Sequence, residues 1–365
     1  MNRREILIGG GAGLVALGGG IGVIATRQMG SKSEYDEQSK AARRALEAHP
    51  DARALIRFAT LAPSGHNTQP WRFAVEPGVI TIRPDFTRRT PVVDPDDHHL
   101  FVSLGCAAEN LVLAAAARGL RGEASFDSAG DGSIRFRHEP GPTQPSPLFD
   151  AIPRRQSTRE DYDGRAVGPA DLSMLAAAAA GTGVDMVLVT DRPKIDRIGQ
   201  LVLTGNSTQM DDPAFMRELK SWLRFSPRQA LGTGDGLYSA TTGNPVVPAW
   251  IGRPALDLFL TTKSENEKYA RQLQSSAGLA VFVGQKADRE HWVAVGRASQ
   301  RFALQATALG LKHAFLNQPV EVPALRPGLA ALIGMTGKRP DLVMRFGYGS
   351  LLPYSPRRPV ATVIA

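Results

Sequence analysis

The chain has 365 residues, 42% hydrophobic and 21% charged, a globular composition long enough for two domains or one large one. Its single cysteine, Cys106, excludes an internal disulfide and a cysteine-based metal site; core packing is the role expected for it. The formal net charge is +8, but the arginines are scattered and no basic-aromatic patch accompanies them, so a solvated surface with a few anion contacts is expected, and no nucleic-acid partner.

In chain order, residues 1–27 read as a targeting segment outside the fold. Arg3-Arg4 followed by the Gly-rich apolar run Ile6 to Ala25 resembles a twin-arginine export signal, and Val23-Ile24-Ala25 offers a small-residue cleavage pattern. That route carries folded proteins and implies an exported, periplasmic or cell-envelope location. The run is also long enough to span a bilayer, so an uncleaved anchor, the one membrane contact expected, stays open beside cleavage. Its Gly-x-Gly spacings lack the framing strand and helix of a dinucleotide fingerprint.

Residues 28–44 read as a polar linker, with helical patterning over Ser39 to Ala48 and Ala52 to Leu61. The first half of the fold is expected over 45–149. Arg72 to Glu76 and Val79 to Arg83 pattern as a hairpin across Pro77-Gly78. A Pro-, Asp- and Arg-rich loop covers 84–97, and Leu100 to Gly119 is an Ala/Leu helix. Glu123 to Asp127 and Ser133 to His138 are strand-like, and the Pro-rich stretch 140–147 marks a boundary. The second half, 150–365, shows helices over Asp171 to Ala180, Lys194 to Met210 and Pro213 to Phe225, and strands over Asp185 to Thr190 and Ala277 to Val283. Residues 226–256 read as an irregular insertion, and Trp292 to Gly310 is a second Ala/Leu helix. The two Ala/Leu helices align without gaps: Gly105, Ala107, Leu113 and Gly119 match Gly296, Ala298, Leu304 and Gly310. Helical periodicity alone produces some of that match. The shared order of flanking elements points further, to two copies of one α+β unit.

Between the helix ending at Leu61 and the strand starting at Arg72 lies Ala62-Pro63-Ser64-Gly65-His66-Asn67-Thr68-Gln69-Pro70-Trp71. A turn needs only the Pro, Gly and Asn. Asn67 and Gln69 can each donate and accept hydrogen bonds at once, which suits a planar heterocycle, and His66 is a further candidate for lining a pocket. The stretch closely resembles the signature Pro-Ser-x-x-Asn-x-Gln-Pro-Trp loop of the FMN-dependent nitroreductase family, at Pro63, Ser64, Asn67, Gln69, Pro70 and Trp71.

The resemblance implies an α+β, nitroreductase-like fold with mixed or antiparallel sheets flanked by helices. Arg154-Arg155-Gln156-Ser157-Thr158-Arg159 resembles the family's Arg-x-Ser-x-Arg phosphate motif, and Ser355-Pro356-Arg357-Arg358-Pro359 its C-terminal basic segment. Leu316 and Asn317 fall where the family's backbone approaches the flavin, although the sequence there departs from the usual small residues. Gly347-Tyr348-Gly349 matches the last strand and turn. The first half has no phosphate motif and the second has Ala179 to Val184 in place of a signature loop. Two tandem halves forming a pseudo-dimer are therefore expected to share one FMN site, as in the Acg-type branch, with Pro63, Ser64, Asn67, Gln69, Arg154, Arg155, Ser157, Arg159, Leu316, Asn317, Arg357 and Arg358 around it.

The implied activity is oxidoreduction through the flavin between a small-molecule donor and a quinone-like or nitroaromatic acceptor, by a ping-pong route, in a monomer. A flavin-sequestering protein with little turnover, its site covered by the 226–256 insertion as a lid, is the alternative. A scaffold that has lost FMN is a third reading. No metal is expected: His98-His99, among Asp94, Asp96 and Asp97, lacks the usual ligand spacing and reads as a solvated loop. No Ser-His-Asp or P-loop arrangement is present.

Overall fold

The computed structural model describes residues 29–181 and 183–365. The twin-arginine-like segment lies outside the described residues.

Helix α1 (Lys32–Ala42) is capped by Ser31, whose hydroxyl accepts from the Glu34 amide. Most of 28–44 is thus helix rather than linker. Tyr35 is buried against Tyr238, ring centroids 4.7 Å apart, and its hydroxyl donates to the Tyr354 carbonyl. The helix expected over 39–48 stops at Ala42. The Arg57 guanidinium takes the carbonyls of Ala42, Arg44 and Ala45, which a continuing helix would need. Asp51 then caps α2 (Ala52–Ala59).

The first sheet holds β1 (Trp71–Glu76), β2 (Val79–Pro84), β3 (Leu120–Asp127) and β4 (Ser133–Pro140), all antiparallel in the order β1-β2-β4-β3. Gly78, at φ +71°, closes the two-residue turn of the β1–β2 hairpin. Trp71, Phe73, Ile134 and Phe136 face the core while Arg72, Arg135 and Arg137 face out, the alternation of a half-buried sheet. Helix α3 (His98–Ala116) joins β2 to β3, and the short α4 (Pro147–Ala151) follows β4.

The second half begins with α5 (Pro169–Ala179), β5 (Val184–Val189), α6 (Arg192–Met210), α7 (Pro213–Trp222) and β6 (Leu223–Arg224). Next come α8 (Pro227–Thr233), β7 (Leu237–Tyr238), α9 (Ala249–Phe259), α10 (Thr262–Gln274), β8 (Gly278–Gly284) and α11 (Arg289–Ala308). It ends with β9 (Lys312–Phe315), α12 (Gln318–Glu321), α13 (Arg326–Leu332) and β10 (Leu342–Gly347). The insertion expected to be irregular therefore carries two helices: Ser226 caps α8, and Gly234, at φ +65°, ends it. Helix α10 had no sequence expectation; a reciprocal Thr261–Ser264 cap starts it. The helix expected to reach Phe225 ends at Trp222, where the chain turns into β6 and pairs with β7.

The second sheet runs β5-β8-β10-β9, again antiparallel. Aligned in chain order, it has the same strand order as the first. The segment from α6 to α10 stands where the first half has only the β1–β2 turn. That segment explains the all-apolar β8: Ala280 and Phe282 join the core around α3 and α11, while Leu279, Val281 and Val283 pack in a second core with α6 and α13.

The two Ala/Leu helices cross on one another at their matched glycines. A Cβ on Gly105 would lie 2.1 Å from the Val293 carbonyl oxygen, and one on Gly296 would lie 2.0 Å from that of Val102. Helix α3 is long and apolar enough to cross a membrane by length and composition, but its residues are almost all buried in the protein core.

Candidate functional site

A cavity of about 260 Å³ lies between the two halves. The signature loop contributes Pro63, Ser64, Gly65 and His66, and α3 contributes Ser103 and Cys106. The second half adds Arg159, Lys268, Tyr269 and Gln272, and the Ala314–Asn317 stretch closes another side. Apolar residues of α7, β6 and the insertion, among them Phe215, Leu219, Leu223, Leu237 and Leu256, form a roof.

The signature loop is held in an unusual backbone. His66, Asn67 and Gln69 have φ of +46°, +54° and +53°, a left-handed conformation costing roughly 1–2 kcal/mol per residue. Side-chain bonds offset that cost. Ser64 Oγ accepts from the Gln69 amide at 2.9 Å. Asn67 Nδ2 donates to the Gly236 and Pro356 carbonyls, both at 3.1 Å, and its Oδ1 accepts from Arg357. Gln69 Nε2 donates to the Gly234 carbonyl at 2.8 Å, and its Oε1 accepts from the Arg358 amide at 2.9 Å. Asn67 and Gln69 thus do not line the cavity, contrary to expectation. Their amides fasten the loop to the insertion and to the C-terminal segment.

The expected phosphate residues separate in the same way. Arg159 lines the cavity, and its guanidinium has no hydrogen bond or ion pair among the described residues; burial lowers its pKa. Arg155 is buried and donates to the Leu61 carbonyl through Nη2, while its Nε and Nη1 have no partner. Burial, with the nearby charges of Arg43 and Arg159 adding, brings Arg155 down to about 10. Arg357 donates to the Leu61 and Ala62 carbonyls, and its Nε too is unpartnered. Its pKa is held well below the ordinary value by burial first, then by Arg43 and Arg155. Arg43, missed in the sequence, belongs to this group, and burial lowers it as well. Buried Arg155 and half-buried Arg43, Arg159 and Arg357 share one neighbourhood, and no ion pair to a carboxylate neutralises any of them among the described residues. Uncompensated buried charge of this kind is costly.

Arg154 instead faces solvent and bonds the Asp150 carbonyl four residues back, as the helical turn there directs. Ser157 bridges to His313 and is not at the cavity wall. Leu316 points into the second core; its amide donates to Val343 across the sheet edge. Arg358 bonds the Gln69 and Thr362 carbonyls. Asn317 does line the cavity, with Oδ1 accepting from the Val343 amide at 3.0 Å.

Arg159 owes its position to Arg345, which the sequence did not single out. This fully buried residue of β10 donates to the Thr158 carbonyl at 3.3 Å and to that of Glu160. Gln272 Nε2 holds the Arg159 carbonyl between them at 3.0 Å. Three consecutive peptides are clamped, and the Arg159 side chain is left to project.

Imidazoles and a carboxyl define the remaining walls. His66 Nδ1 is buried without a partner, and burial, with Arg159 and His99 nearby, pushes its pKa down to about 4. His99 Nδ1 lies 3.8 Å from Glu321, whose pKa burial raises and whose Oε2 accepts from Gln209 at 2.7 Å. Cys106 donates to the Gly296 carbonyl, and burial pushes its thiol up to about 12, so packing fits it better than nucleophilic chemistry. The His98-His99 stretch is not a solvated loop. His98 is buried against Asp341 at 2.9 Å at the start of α3, and Asp94, His98 and His99 offer ligand atoms within 4.8 Å of one another. Both Asp94 oxygens, however, accept from the His99 and Leu100 amides and so cap the helix.

No family model matches the chain. It is 29% identical over 335 residues to the Mycobacterium tuberculosis protein named "Putative NAD(P)H nitroreductase Rv3131", spanning 88% of this chain and 94% of that one. A second protein of that organism, "Putative NAD(P)H nitroreductase acg", is 23% identical over 327 residues, spanning 85% and 94%. Among solved structures, a nitroreductase with bound FMN from Desulfitobacterium hafniense aligns at 14% identity and a TM-score of 0.38, over 59% of this chain and 95% of that one. The NADPH:FMN oxidoreductase of Vibrio harveyi aligns at 14% identity and a TM-score of 0.35, over 58% and 73%. The resemblance carried by Pro63 to Trp71 is thus borne out by relatives along most of the chain.

Proposed function

We propose, taking as premise the relationship to proteins named NAD(P)H nitroreductase, that the chain is an FMN-binding oxidoreductase of nitroreductase type. The observation that carries this is the meeting, at one cavity, of the signature loop from the first half and the unpaired Arg159 from the second. The donor set fits FMN. A dianionic phosphate near Arg155 and Arg159 would supply acceptors for unpartnered guanidinium nitrogens and neutralise buried charge. Pro63, Ser64, His66 and Asn317 would then border the ring system. When bound, FMN would supply the hydride chemistry, passing electrons from a small-molecule donor to a quinone-like or nitroaromatic acceptor. The chain's own residues bind, orient and exclude water: the apolar roof suits a planar, largely apolar acceptor, and His66 is neutral at pH 7. Both halves furnish walls of the cavity, so the pseudo-dimer reading requires no second chain.

A second reading, flavin sequestration with little turnover, draws on one observation. The insertion is bolted over the loop: Gly234 and Gly236 bond Gln69 and Asn67, and the Asp235 carboxylate sits between Arg88 and Arg224. A roof so fastened restricts entry of a donor.

Purified protein should be yellow, with stoichiometric flavin. A colourless preparation that takes up no added FMN overturns both readings. Anaerobic NADPH or NADH should bleach a yellow one. Failure to bleach, where dithionite succeeds, overturns turnover with a nicotinamide donor in favour of sequestration.

A further inference from the structure

An acid and an imidazole from different halves of the chain meet at the cavity wall. Glu321, the last residue of α12, is 18% exposed and lines the cavity, as do His99 of α3 and Gln209 of α6. Helix α12 is seated against α6: a Cβ on Gly205 would lie 2.8 Å from that of Gln318, and Gln209 stands one turn further along α6. Gln209 Nε2 donates to Glu321 Oε2 at 2.7 Å. On the other side, His99 Nδ1 lies 3.8 Å from Glu321 Oε1. His99 Nε2 lies 3.3 Å from the Asp341 main-chain carbonyl, which can only accept, so Nε2 carries the ring hydrogen. In the neutral ring Nδ1 therefore turns a lone pair toward Glu321. An ionised carboxylate there would set acceptor against acceptor. A neutral carboxyl matches both neighbours, its carbonyl oxygen facing Gln209 and its hydroxyl facing His99. Burial, the largest influence, raises the Glu321 pKa, and the Asp94 and Glu218 carboxylates add to it, while His99 and Gln209 act against them. On α10, Tyr269 is kept neutral by burial, and Lys268 and Glu265 pair with each other.

We propose, on the premise of the flavin reading, that Glu321 is the proton donor to the electron acceptor and that His99 positions its proton. A quinone that takes up the flavin's hydride becomes a hydroquinone monoanion and lacks one proton. The Glu321 O–H bond breaks, an O–H bond forms on the product oxygen, and the hydroquinone is complete. The carboxylate left behind regains its proton from water once the product leaves. A donor inside the roofed cavity supplies the proton without bulk water at the moment of transfer.

The test compares the wild type with Glu321→Gln in two ways. Infrared difference spectra at pH 7 should show in the wild type a protonated-carboxyl C=O band that the variant lacks, a readout that needs neither flavin nor turnover. The glutamine amide reproduces both hydrogen bonds of a neutral carboxyl, so melting temperature and flavin absorbance should match the wild type. When photoreduced protein is mixed with benzoquinone, flavin reoxidation should be about a hundredfold slower in the variant, the low end of what a placed general acid contributes. The wild-type rate should fall as pH rises through the range in which the infrared band disappears, and the variant's rate should not follow. Absence of the band, loss of folding in the variant, or equal reoxidation rates in the two proteins overturns the proposal. A yellow protein with equal rates refutes the role of Glu321 alone. A colourless protein that takes up no FMN overturns the flavin reading, and the donor role with it.

Discussion

Gly105 and Gly296 hold matching places in the two crossed helices, and each leaves room for the carbonyl three residues before the other: Val293 opposite Gly105, Val102 opposite Gly296. The contact is reciprocal: each helix's glycine faces a carbonyl of the other helix. Packing here is backbone against backbone, and the cavity walls from both halves depend on it, because Cys106 and Ser103 lie on the same helix as Gly105.

A methyl group at either glycine has nowhere to go. Gly105→Ala and Gly296→Ala should each destabilise the protein by about 3 kcal/mol or more, since the obstruction is backbone and cannot swing aside. Denaturant unfolding checks this. A midpoint unchanged in both variants would show that the helices do not cross this closely.

The arginines should divide by role. Arg159→Ala should weaken FMN retention by about ten- to a hundredfold, the loss of one or two charge-assisted bonds, with little change in melting temperature. Arg357→Ala should lower the melting temperature, because Arg357 ties the Leu61 and Ala62 carbonyls to the C-terminal segment. Arg154→Ala should change neither. Flavin loss in R154A comparable to that in R159A would refute this division.

Asp235 is the fastening point of the roof. It is buried between Arg88, which also holds the Thr68 carbonyl, and Arg224. Asp235→Asn leaves two cations without their counter-charge and should cost about 3 kcal/mol, as for breaking other buried pairs. Limited proteolysis should then cut sooner within 226–256. An unaltered cleavage pattern would mean that the roof is secured elsewhere.

Acid should loosen the fold through its buried imidazoles. His313 is fully buried, both ring nitrogens lack partners, and burial pushes its pKa down to about 3; His66 falls to about 4. The folded values lie below the unfolded value near 6.5, so the unfolded chain takes up protons first as pH falls. Stability is then fully present above pH 6.5 and is lost progressively toward pH 3. Melting temperature measured from pH 7 to pH 4 should fall, and the fall should be shallower in His313→Leu. Parallel slopes in the two proteins would remove His313 from the account.

The sequence by itself determined the α+β elements and the family resemblance. These depend on local signals: the apolar period of α3 and α11, the Pro77-Gly78 turn, and the spacing from Pro63 to Trp71. It also marked Pro63, Ser64, Arg159 and Asn317, which do meet at the cavity. Only the tertiary structure decided what the remaining polar residues do. Asn67, Gln69, Arg357 and Arg358 carry the right chemistry for a ligand, but that chemistry is spent on carbonyls and amides of segments up to 296 residues away. Arg345 and Gln272 gave no signal because their partners are chiefly backbone groups of distant loops, which no motif spacing encodes. Helix α1 looked like a linker because its composition is polar, and a single buried residue, Tyr35, docks it. A loop's residue types announce that it can bind something. Whether they bind a ligand or the rest of the chain depends on which carbonyls the fold brings beside them.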